Sequence, residues 1–420
     1  MSPVPSLFHI QVTNMHNCFH AADILLPQHI SMRKWACVAC DQFSSQPEYW
    51  REVEDFVGDA PSTMHMILPE AFLSLRRERI PAIHRHMEEY LSRNLFRTFR
   101  RSFLYLERTL ADGSRRRGLV GQVGLENYDF HPGSGALIRA TEATVEDRLP
   151  PRMEVIRQAK LELSHVLMLS NDRRDMILTA AASVRGEQVY DFDLMQDGGR
   201  ITGWVISGLG VSVVNAAVSD YIAASEEYQG PGPMAFAVGD GNHSLAAAKA
   251  CWEELKPTLS GDALLEHPAR FALVELGNIH DPAVRFEAIH RTVSGIDPGD
   301  LSAFLRAHGA ETGHPITLVT AAGEETVYLP ENLHPLPIGA LQPLLDEYVS
   351  AHGGTMDYIH GAEVVRSLAG AEDTLGLILP AMDKAALFPG VLKNGVLPRK
   401  TFSMGEAREK RYYLEAKRRQ

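Results

Sequence analysis

An apolar strand that runs into a glycine-rich turn and then into a helix is the feature that most restricts the fold of this chain. Residues 234–238 form the apolar run, Gly239 and Gly241 flank Asp240 in the turn, and residues 244–255 have helical spacing. Further strand and helix patterns alternate around this unit in the middle of the chain. Such alternation is typical of an α/β layer in which helices cover a sheet. We therefore predict a mixed α/β fold, with mixed sheets and flanking helices.

The part of the chain before this layer has the pattern of an α+β structure. Residues 99–107 and 118–126 alternate like paired strands, and the Asp-Gly pair at 112–113 between them is a strong hairpin signal. Apolar residues recur at helical spacing over 69–95, where Pro81 interrupts the pattern. The sequence therefore predicts a hairpin and a long helix in this part.

A chain of 420 residues is long enough for two or three domains. We expect three regions: an N-terminal α+β region over 1–186, a central α/β region over 187–295 and a C-terminal α/β region over 296–420. The charged end, 409–420, is predicted to be helical.

Charge and hydropathy exclude several classes of partner. The formal net charge of -12 disfavours nucleic-acid binding through the overall field, because phosphate contacts need a basic face. The N-terminus lacks the basic region and apolar run of a signal peptide, and polar residues interrupt the most apolar stretch, 203–222. We therefore expect a cytoplasmic protein without nucleic-acid or membrane partners, and the oligomeric state stays open.

The four cysteines include a C-x-x-C pair, Cys37 and Cys40, which could indicate a metal or redox site. The surrounding residues 35–40 instead predict a buried strand, in which positions three apart point to opposite faces. We therefore interpret the cysteines as reduced, structural thiols.

The turn from Gly239 to His243 is the first candidate site. Unpaired backbone amides and the helix dipole at a helix N-terminus both favour a bound anion such as phosphate. Asp240 can hold Mg²⁺ or accept a proton, and His243 can donate to phosphate or transfer a proton. The alternative is that Asn242 or Ser244 merely caps the helix. Capping alone explains neither the second glycine nor the histidine, so we favour the functional interpretation.

A charged loop is the second candidate. Arg139, Arg148 and Arg152 can pair with carboxylate or phosphate groups, and Glu142 could serve as a base or a metal ligand. Taken alone, such a loop is more often solvated and internally paired.

Two further cationic pairs follow predicted strands or turns. His290 and Arg291 end a strand, and Arg399 and Lys400 lie near the C-terminus. Each pair is a weak signal by itself, because a lone His-Arg pair is more often surface than site.

Taken together, these segments resemble domain-of-unknown-function family 1015. Members carry an Asp-Gly-(His/Asn)-His element after a strand, which is similar to residues 240–243 here. A Thr-His-Arg-like strand end is similar to 289–291, an Arg and Glu loop leading to Asp-Arg-Leu is similar to 139–149, and a Pro-x-Lys-(Ser/Thr) motif is similar to 398–401. The likeness covers nearly all of the chain.

The same turn also looks like the nucleotide-binding signature of the ParB/sulfiredoxin superfamily, which includes free serine kinases. This resemblance implies that Gly241, Asn242 and His243 contact phosphate, that Asp240 orients Mg²⁺ and that Glu142 is the base.

The chain departs from that superfamily at one position. Members often have an arginine directly after the histidine, and this chain has Ser244 there. Arg291 or Lys400 would then have to replace the arginine in space.

From these patterns we predict a nucleotide- and Mg²⁺-dependent phosphotransferase that acts on a small polar metabolite, such as serine, and uses ATP or ADP. Phosphoryl transfer needs charge neutralisation and alignment, which clustered Arg, Lys, His and Asp residues can supply. A phosphate-ester hydrolase and a ParB-like nucleotide-sensing protein without turnover are the alternatives. The catalytic candidates are Asp240, His243 and Glu142, with Asp240 also as metal ligand. The candidates for binding phosphate or substrate are Gly239, Gly241, Asn242, Ser244, Arg139, Thr141, Arg148, His290, Arg291, Arg399 and Lys400.

Overall fold

The chain forms two compact units. A computed structural model describes residues 18–44, 46–144, 148–229 and 233–420. The first unit comprises Met1–Val284 and Ala407–Gln420, and the second comprises Arg285–Glu406. These units differ in number and boundaries from the three regions expected from the sequence, because the C-terminal segment pairs with strands of the first unit.

Strands and helices alternate along much of the chain. The strands are β1 (Phe19–His20), β2 (Ala22–Pro27), β3 (Cys37–Val38), β4 (Phe96–Thr109), β5 (Arg115–Gly124), β6 (Tyr128–Asp129), β7 (Ile138–Ala140), β8 (Leu161–Leu163), β9 (Leu167–Ser170), β10 (Gln188–Asp193), β11 (Arg200–Ile206), β12 (Phe236–Asp240), β13 (Phe271–Asn278), β14 (Phe286–Ser294), β15 (His314–Thr320), β16 (Gly323–Leu329), β17 (Thr355–His360), β18 (Thr374–Ile378), β19 (Phe402–Met404), β20 (Tyr412–Tyr413) and β21 (Ala416–Arg418). The α-helices are α1 (Met32–Trp35), α2 (Pro47–Val57), α3 (Arg76–Ser92), α4 (Leu149–Arg157), α5 (Met176–Ser183), α6 (Leu209–Gln229), α7 (Asn242–Leu255), α8 (Gly261–Glu266), α9 (Pro298–Ala307), α10 (Pro337–His352), α11 (Ala362–Leu368) and α12 (Leu387–Asn394).

The first unit is built around a mixed sheet that has thirteen strands within the described residues. Its main path runs in the order β6-β7-β12-β9-β13-β5-β4-β2-β21-β8, while β1 pairs with β5 and the β10–β11 hairpin joins through β4. Antiparallel and parallel neighbours both occur, since β12 is parallel to β7 and β13 is parallel to β9. The prediction of a mixed α/β fold with a mixed sheet is confirmed.

Helices cover both faces of this sheet. In strand β4, Leu104 and Leu106 belong to one hydrophobic cluster with residues of α1, α2 and α3. Phe103 and Tyr105 belong to another cluster with residues of α5, α6 and α7. Because successive residues of a strand point to opposite faces, the two clusters lie on opposite sides of the sheet. Burial on both sides explains the continuous apolar run in β4.

The hairpin predicted from residues 99–107 and 118–126 is confirmed. Strands β4 and β5 pair antiparallel as far as Thr109 and Arg115, which face each other at the turn. Gly113 has a φ of 81°, a left-handed conformation that glycine adopts without steric cost. The Asp-Gly signal therefore identified the turn correctly.

The alternation of strands and helices predicted for the middle of the chain is also confirmed. Strands β10 and β11, helix α6, strand β12 and helix α7 follow one another in this order. Local hydrophobic periodicity was sufficient to predict these elements, because each is long enough for the repeat of a strand or of a helix to be recognised in its sequence.

The prediction of a helix over residues 409–420 is wrong. This segment forms β20, which pairs with β3, and β21, which lies between β2 and β8. Tertiary pairing overrides local helical preference here. Arg411 and Glu415 are buried in this arrangement, although a charged tail would be expected to stay in solvent.

The strand predicted over residues 35–40 is shorter than expected. Met32–Trp35 forms the short helix α1, and β3 covers Cys37–Val38. All four cysteines are free, which agrees with structural thiols.

The second unit contains its own mixed layer of strands and helices. Its sheet has six strands within the described residues, in the order β16-β15-β18-β14-β17, and β19 pairs with β14. Val293, Leu318, Leu375 and Leu377 are buried on these strands. Helices α9 to α12 belong to the same unit.

In the part of the chain that the structure describes, no helix is both long enough and apolar enough to cross a bilayer. Helix α6, with 21 residues, illustrates the reason, since polar residues such as Asp220 interrupt it.

Candidate functional site

The turn between β12 and α7 is formed around Gly241. Strand β12 ends at Asp240, Gly241 adopts a φ of 81°, and α7 begins at Asn242. A Cβ atom on Gly241 would lie 3.0 Å from Val166 Cα, so both the backbone conformation and the available space require glycine. The N-cap residue of α7 is Gly241, which has no side chain that could cap the first turn. Backbone amides at a helix N-terminus can bind a ligand anion.

Thr141 and Asn242 hold the charged loop against this turn. The Thr141 backbone N–H donates to Asn242 Oδ1 at 3.1 Å, and Asn242 Nδ2 donates to Thr141 Oγ1 at 3.2 Å. The Thr141 hydroxyl donates to the Val238 carbonyl at 2.7 Å. Thr141 and Asn242 therefore join the two candidate segments into one local structure.

We expect Asn242→Ala to lower the free energy of unfolding by about 1–3 kcal/mol, because it leaves the buried Thr141 N–H without its acceptor. Urea denaturation measures the change. Ser183→Ala is the matched control, since Ser183 is exposed and its hydroxyl donates to the Ala180 carbonyl of its own helix. Equal stability of the Asn242 and Ser183 variants would contradict a structural bond between loop and turn.

Strand direction explains why several polar residues meet at this edge. Strands β7 and β12 are parallel neighbours, so Thr141 and Asp240 leave the sheet at the same end. Strand β9 runs antiparallel to β12, with Leu167 opposite Asp240, so His165 enters at that end too. Residues from three parts of the chain, Thr141, His165 and Asp240, therefore lie at the carboxyl end of β12.

A buried lysine faces the turn. Lys410 Nζ lies 3.4 Å from Asp240 Oδ2, and both side chains are largely buried. Asp240 Oδ1 accepts a hydrogen bond from the Gly241 N–H at 3.1 Å. Asp240 Oδ2 is buried and has no hydrogen-bond partner among the described residues. Such an oxygen has capacity for a further ligand, because buried polar atoms are normally bonded.

Asp41 and His165 add a second charged pair to the site. His165 Nε2 lies 3.9 Å from Asp41 Oδ1, and the histidine is almost completely buried. Burial acts to raise the pKa of the Asp41 carboxyl, but neighbouring groups bring it down to about 2. Those groups are His165, Gln42, Arg152 and Lys410. Asp41 is therefore ionised at neutral pH.

Ser244 belongs to a chain of hydrogen bonds. Its Oγ lies 3.3 Å from His165 Nε2, and His165 Nδ1 lies 2.6 Å from the Tyr413 hydroxyl. The Tyr413 hydroxyl donates to Cys40 Sγ at 2.9 Å. Burial raises the pKa of the Cys40 thiol to about 12 and raises the pKa of Tyr413 well above its usual value. Both groups are therefore neutral.

A pocket of about 130 Å³ opens beside Ser244 and His165. Glu70 and Arg152, which form a close ion pair, line it together with Glu162, Arg419 and Tyr413. The rest of its wall is mainly apolar. Apolar residues in the wall include Met66, Leu68, Leu73, Met87, Leu163 and Leu245.

The other predicted site residues of the first unit differ in burial and in their hydrogen-bond partners. Arg139 is buried, its Nε donates to the Ala136 carbonyl at 2.9 Å, and burial lowers its pKa. Arg148 is half-buried, and its carbonyl accepts from Arg152 at 2.8 Å. Glu142 and His243 are half-buried. Residues 145–147 of the charged loop lie outside the described residues.

The remaining predicted residues lie in the second unit. The Arg291 guanidinium is fully buried over the Tyr358 ring and bonds Gln342. It also donates to four carbonyls of that unit, including those of Arg399 and Lys400. Arg291 thus ties the C-terminal motif to β14. His290, also buried, accepts from the Leu379 N–H at 3.2 Å.

A divalent cation would have few protein ligands here. Within the described residues, no group of three or more His, Cys, Asp or Glu side chains could hold a metal ion. Mg²⁺ is often bound through one or two carboxylates together with phosphate oxygens and water. The buried Asp240 Oδ2 could serve as the single carboxylate ligand in such a site. It could not by itself form a site in which the protein supplies every ligand.

Sequence reasoning missed part of this site. His165, Lys410 and Tyr413 stood in no motif, and the hydrogen bond between His165 and Tyr413 spans 248 positions. Asp41 carried a signal, because it begins a polar loop directly after a strand, where ligand contacts are common.

The profile of the family described as "Protein of unknown function (DUF1015)" matches residues 24–417. No curated protein matches the chain.

Several solved structures are distantly similar to the chain. One is a conserved hypothetical protein from Pyrococcus furiosus, with 12% identity, a TM-score of 0.35 and coverage of 70% of this chain and 90% of that chain. Another is SbnI with a C-terminal truncation from Staphylococcus aureus, with 12% identity, a TM-score of 0.36 and coverage of 68% and 81%. A third is a free serine kinase in complex with AMP, with 13% identity, a TM-score of 0.37 and coverage of 70% and 90%.

Proposed function

The chain belongs to the family described as Protein of unknown function (DUF1015), and because that description leaves the activity open, we propose a function from the chemistry of its own residues. We infer that it is a nucleotide- and Mg²⁺-dependent phosphotransferase acting on a small polar metabolite. Serine, with ATP or ADP as donor, is the first combination to test.

The observation that carries this proposal is the start of α7 at a glycine N-cap, Gly241, beside a buried Lys410. Helix N-terminal amides, the helix dipole and an ammonium group together favour a dianionic phosphate. Asp240 Oδ2 supplies a carboxylate oxygen on the same side, since it lies 3.4 Å from Lys410 Nζ. Phosphoryl transfer depends mainly on such positioning and charge neutralisation.

In the proposed reaction, the amides of α7, His243 and Lys410 bind the phosphate oxygens of the nucleotide. Asp240 would hold Mg²⁺ through its carboxylate, and the ion would supply neutralisation of charge on those oxygens. The Glu142 carboxylate accepts the proton of the substrate hydroxyl. The hydroxyl oxygen bonds to the terminal phosphorus while the bond to the leaving phosphate oxygen breaks.

Two arginines of the charged loop complete the proposal. We expect Arg139 and Arg148 of the first unit to face the bound phosphates. A crystal structure of the nucleotide complex tests this expectation. Arginine guanidinium groups farther from the phosphates than about 10 Å, the scale of an ordinary pocket, would contradict a single site.

Phosphorus NMR tests the activity directly. Pure protein is incubated with amino acids, their phosphates and each nucleotide in the presence of Mg²⁺. Transfer to an acceptor supports the phosphotransferase, and release of inorganic phosphate from an ester supports the hydrolase alternative. Saturable nucleotide binding without turnover supports the nucleotide-sensing alternative and would overturn the proposal.

We expect His243→Ala to leave the melting temperature unchanged and to weaken nucleotide binding about 10- to 100-fold, because a hydrogen bond to a charged group contributes about 1.5–3 kcal/mol. Titration calorimetry on the wild type and the variant measures the loss. His131→Ala is the control, since His131 is exposed and bonds Asp129. Equal affinity of the wild type and the His243 variant would remove His243 from the phosphate site, and a large fall in melting temperature would make it a structural residue.

A further inference from the structure

The phosphotransferase proposal does not use the hydroxyl of Ser244 as a reactive group. This hydroxyl lies 3.3 Å from His165 Nε2. Ser244 and His165 both line the apolar pocket. A serine within hydrogen-bond reach of a histidine, which is oriented in turn by a third group, is the arrangement of an activated nucleophile.

We assign the proton of His165 to Nδ1 from the neighbouring hydrogen bonds. The Tyr413 hydroxyl donates to Cys40 Sγ, so its oxygen can accept from His165 Nδ1–H at 2.6 Å. The lone pair of His165 then resides on Nε2, which faces Ser244. This tautomer leaves His165 able to take the Ser244 proton.

Asp41 supplies the charge that such a base requires. Its carboxylate oxygen lies 3.9 Å from His165 Nε2. A carboxylate at this distance stabilises the imidazolium that forms when His165 takes a proton. Ser244, His165 and Asp41, oriented by Tyr413, thus have the functional groups of an acyl-transfer site.

The pocket determines the class of substrate. Its volume of about 130 Å³ is close to the roughly 150 Å³ of a buried apolar cavity that accepts benzene. Leu163, Leu245 and Met87 are among the apolar residues in its wall. A short apolar acyl group fits the apolar part of this space, because it buries its surface against apolar side chains.

We propose that Ser244 is the nucleophile of a second activity, the hydrolysis of carboxylic esters that carry a short apolar acyl group. Ser244 Oγ attacks the carbonyl carbon and its proton passes to His165 Nε2. The leaving alcohol takes that proton as its bond to the carbonyl carbon breaks, which leaves an acyl-Ser244 ester. Water then attacks the acyl carbon and gives a proton to His165. His165 passes this proton to Ser244 Oγ as the bond between Oγ and the acyl carbon breaks, which releases the carboxylic acid and restores Ser244.

This inference does not rest on the phosphotransferase proposal. It uses no nucleotide and no metal ion, and it places the acyl group in the pocket rather than at the amides of α7. Failure of one activity therefore leaves the other untouched.

An alkyl fluorophosphonate tests the nucleophile in the full-length protein. Its phosphorus bonds to Ser244 Oγ as fluoride leaves, and intact-mass spectrometry followed by peptide mapping locates the adduct. We expect a single adduct on Ser244 and none in Ser244→Ala. Labelling of another residue, or no labelling of the folded protein, would overturn the proposal.

Variants test the proton transfer. We expect His165→Gln to slow both labelling and ester hydrolysis about 10²- to 10⁴-fold, the usual contribution of a general base. Ser183→Ala and His131→Gln are matched controls, because Ser183 is exposed on α5 and His131 is exposed. Circular dichroism confirms that each variant is folded. An unchanged labelling rate in folded His165→Gln would exclude His165 as the base.

Tyr413 is a positioning residue in this scheme. Tyr413→Phe removes the hydroxyl that bonds His165 Nδ1 but keeps the ring. We expect a lower kcat with an unchanged KM, since the acyl pocket is preserved. A raised KM with an unchanged kcat would contradict the positioning function.

Chain length tests the pocket. With 4-nitrophenyl esters, we expect kcat/KM to rise about 15-fold from acetate to butyrate, from the transfer free energy of two buried CH₂ groups. Dodecanoate should be a poor substrate because its chain exceeds the pocket. Equal rates for the acetate, butyrate and dodecanoate esters would overturn acyl recognition by this pocket.

Discussion

Glu142→Gln is expected to lower phosphotransferase turnover about 10²- to 10⁴-fold, which is the usual contribution of general base catalysis. The amide keeps the size of the side chain but cannot accept the substrate proton. Nucleotide affinity should be preserved, because the phosphate contacts are assigned to His243, Lys410 and the amides of α7. Single-turnover transfer and titration calorimetry measure the two quantities separately.

Two further variants make this result specific. Glu253→Gln is the control, because Glu253 is exposed on α7 and pairs with Lys249 at 2.8 Å. Asp240→Asn should weaken the Mg²⁺ dependence of turnover, which Glu142→Gln should leave unchanged. A wild-type rate in Glu142→Gln would make Glu142 a loop carboxylate, and Asp240 would become the better candidate for the base.

Glu275→Ala is expected to be the most destabilising single change proposed for this chain. Glu275 is buried in β13 and forms ion pairs with Arg411 and Arg116, which are also buried. Arg411 in turn bonds Glu415 at 2.7 Å. Removing one member leaves the remaining charges without compensation in a site from which water is excluded.

We expect Glu275→Ala to reduce the free energy of unfolding by about 3–5 kcal/mol, the cost of breaking a buried ion pair. Urea denaturation followed by circular dichroism measures the change. Glu254→Ala is the control, since the Glu254–Arg157 pair is about half exposed, and exposed pairs contribute less than about 1 kcal/mol. A loss of similar size in both variants would contradict the importance of the buried network.

The same network predicts how stability depends on pH. Burial acts to raise the pKa of Glu275, but Arg116 and Arg411 hold it below its ordinary value. A carboxyl group whose pKa is lower in the folded state contributes stability above its unfolded pKa, about 4.3 for Glu. That contribution is lost as the pH falls through the folded pKa. Glu275→Gln should therefore show a smaller loss of stability on acidification than the wild type.

Local sequence signals were sufficient for the turn and for the elements around it. Gly113 and the strand patterns beside it specified the hairpin, and the apolar run before Gly239 specified β12. The left-handed conformation of Gly241 was not visible in the sequence, but the two glycines indicated an unusual turn. These features depend on interactions between residues close in the chain, which is why periodicity and turn chemistry predict them.

The C-terminal segment shows why local signals failed elsewhere. Its charged sequence was predicted to be helical, yet Ala416 pairs with Leu25 in β2 and Arg411 forms an ion pair with Glu275. The stabilising groups are far away in sequence. No window of neighbouring residues contains them, so the segment could not be recognised as buried strands.

By itself, the sequence determined the mixed α/β fold, the hairpin and the glycine turn at the start of α7, because each of these follows from hydrophobic period and backbone freedom over a few residues. Only the tertiary structure brought His165, Tyr413 and Lys410 to that turn, with Asp41 beside them. Their proximity depends on which strands pair and in which direction, since strand order decides which ends of the sheet share an edge. Ion pairs and hydrogen bonds then form between these residues over a few ångströms. The linear sequence gives no indication of this proximity.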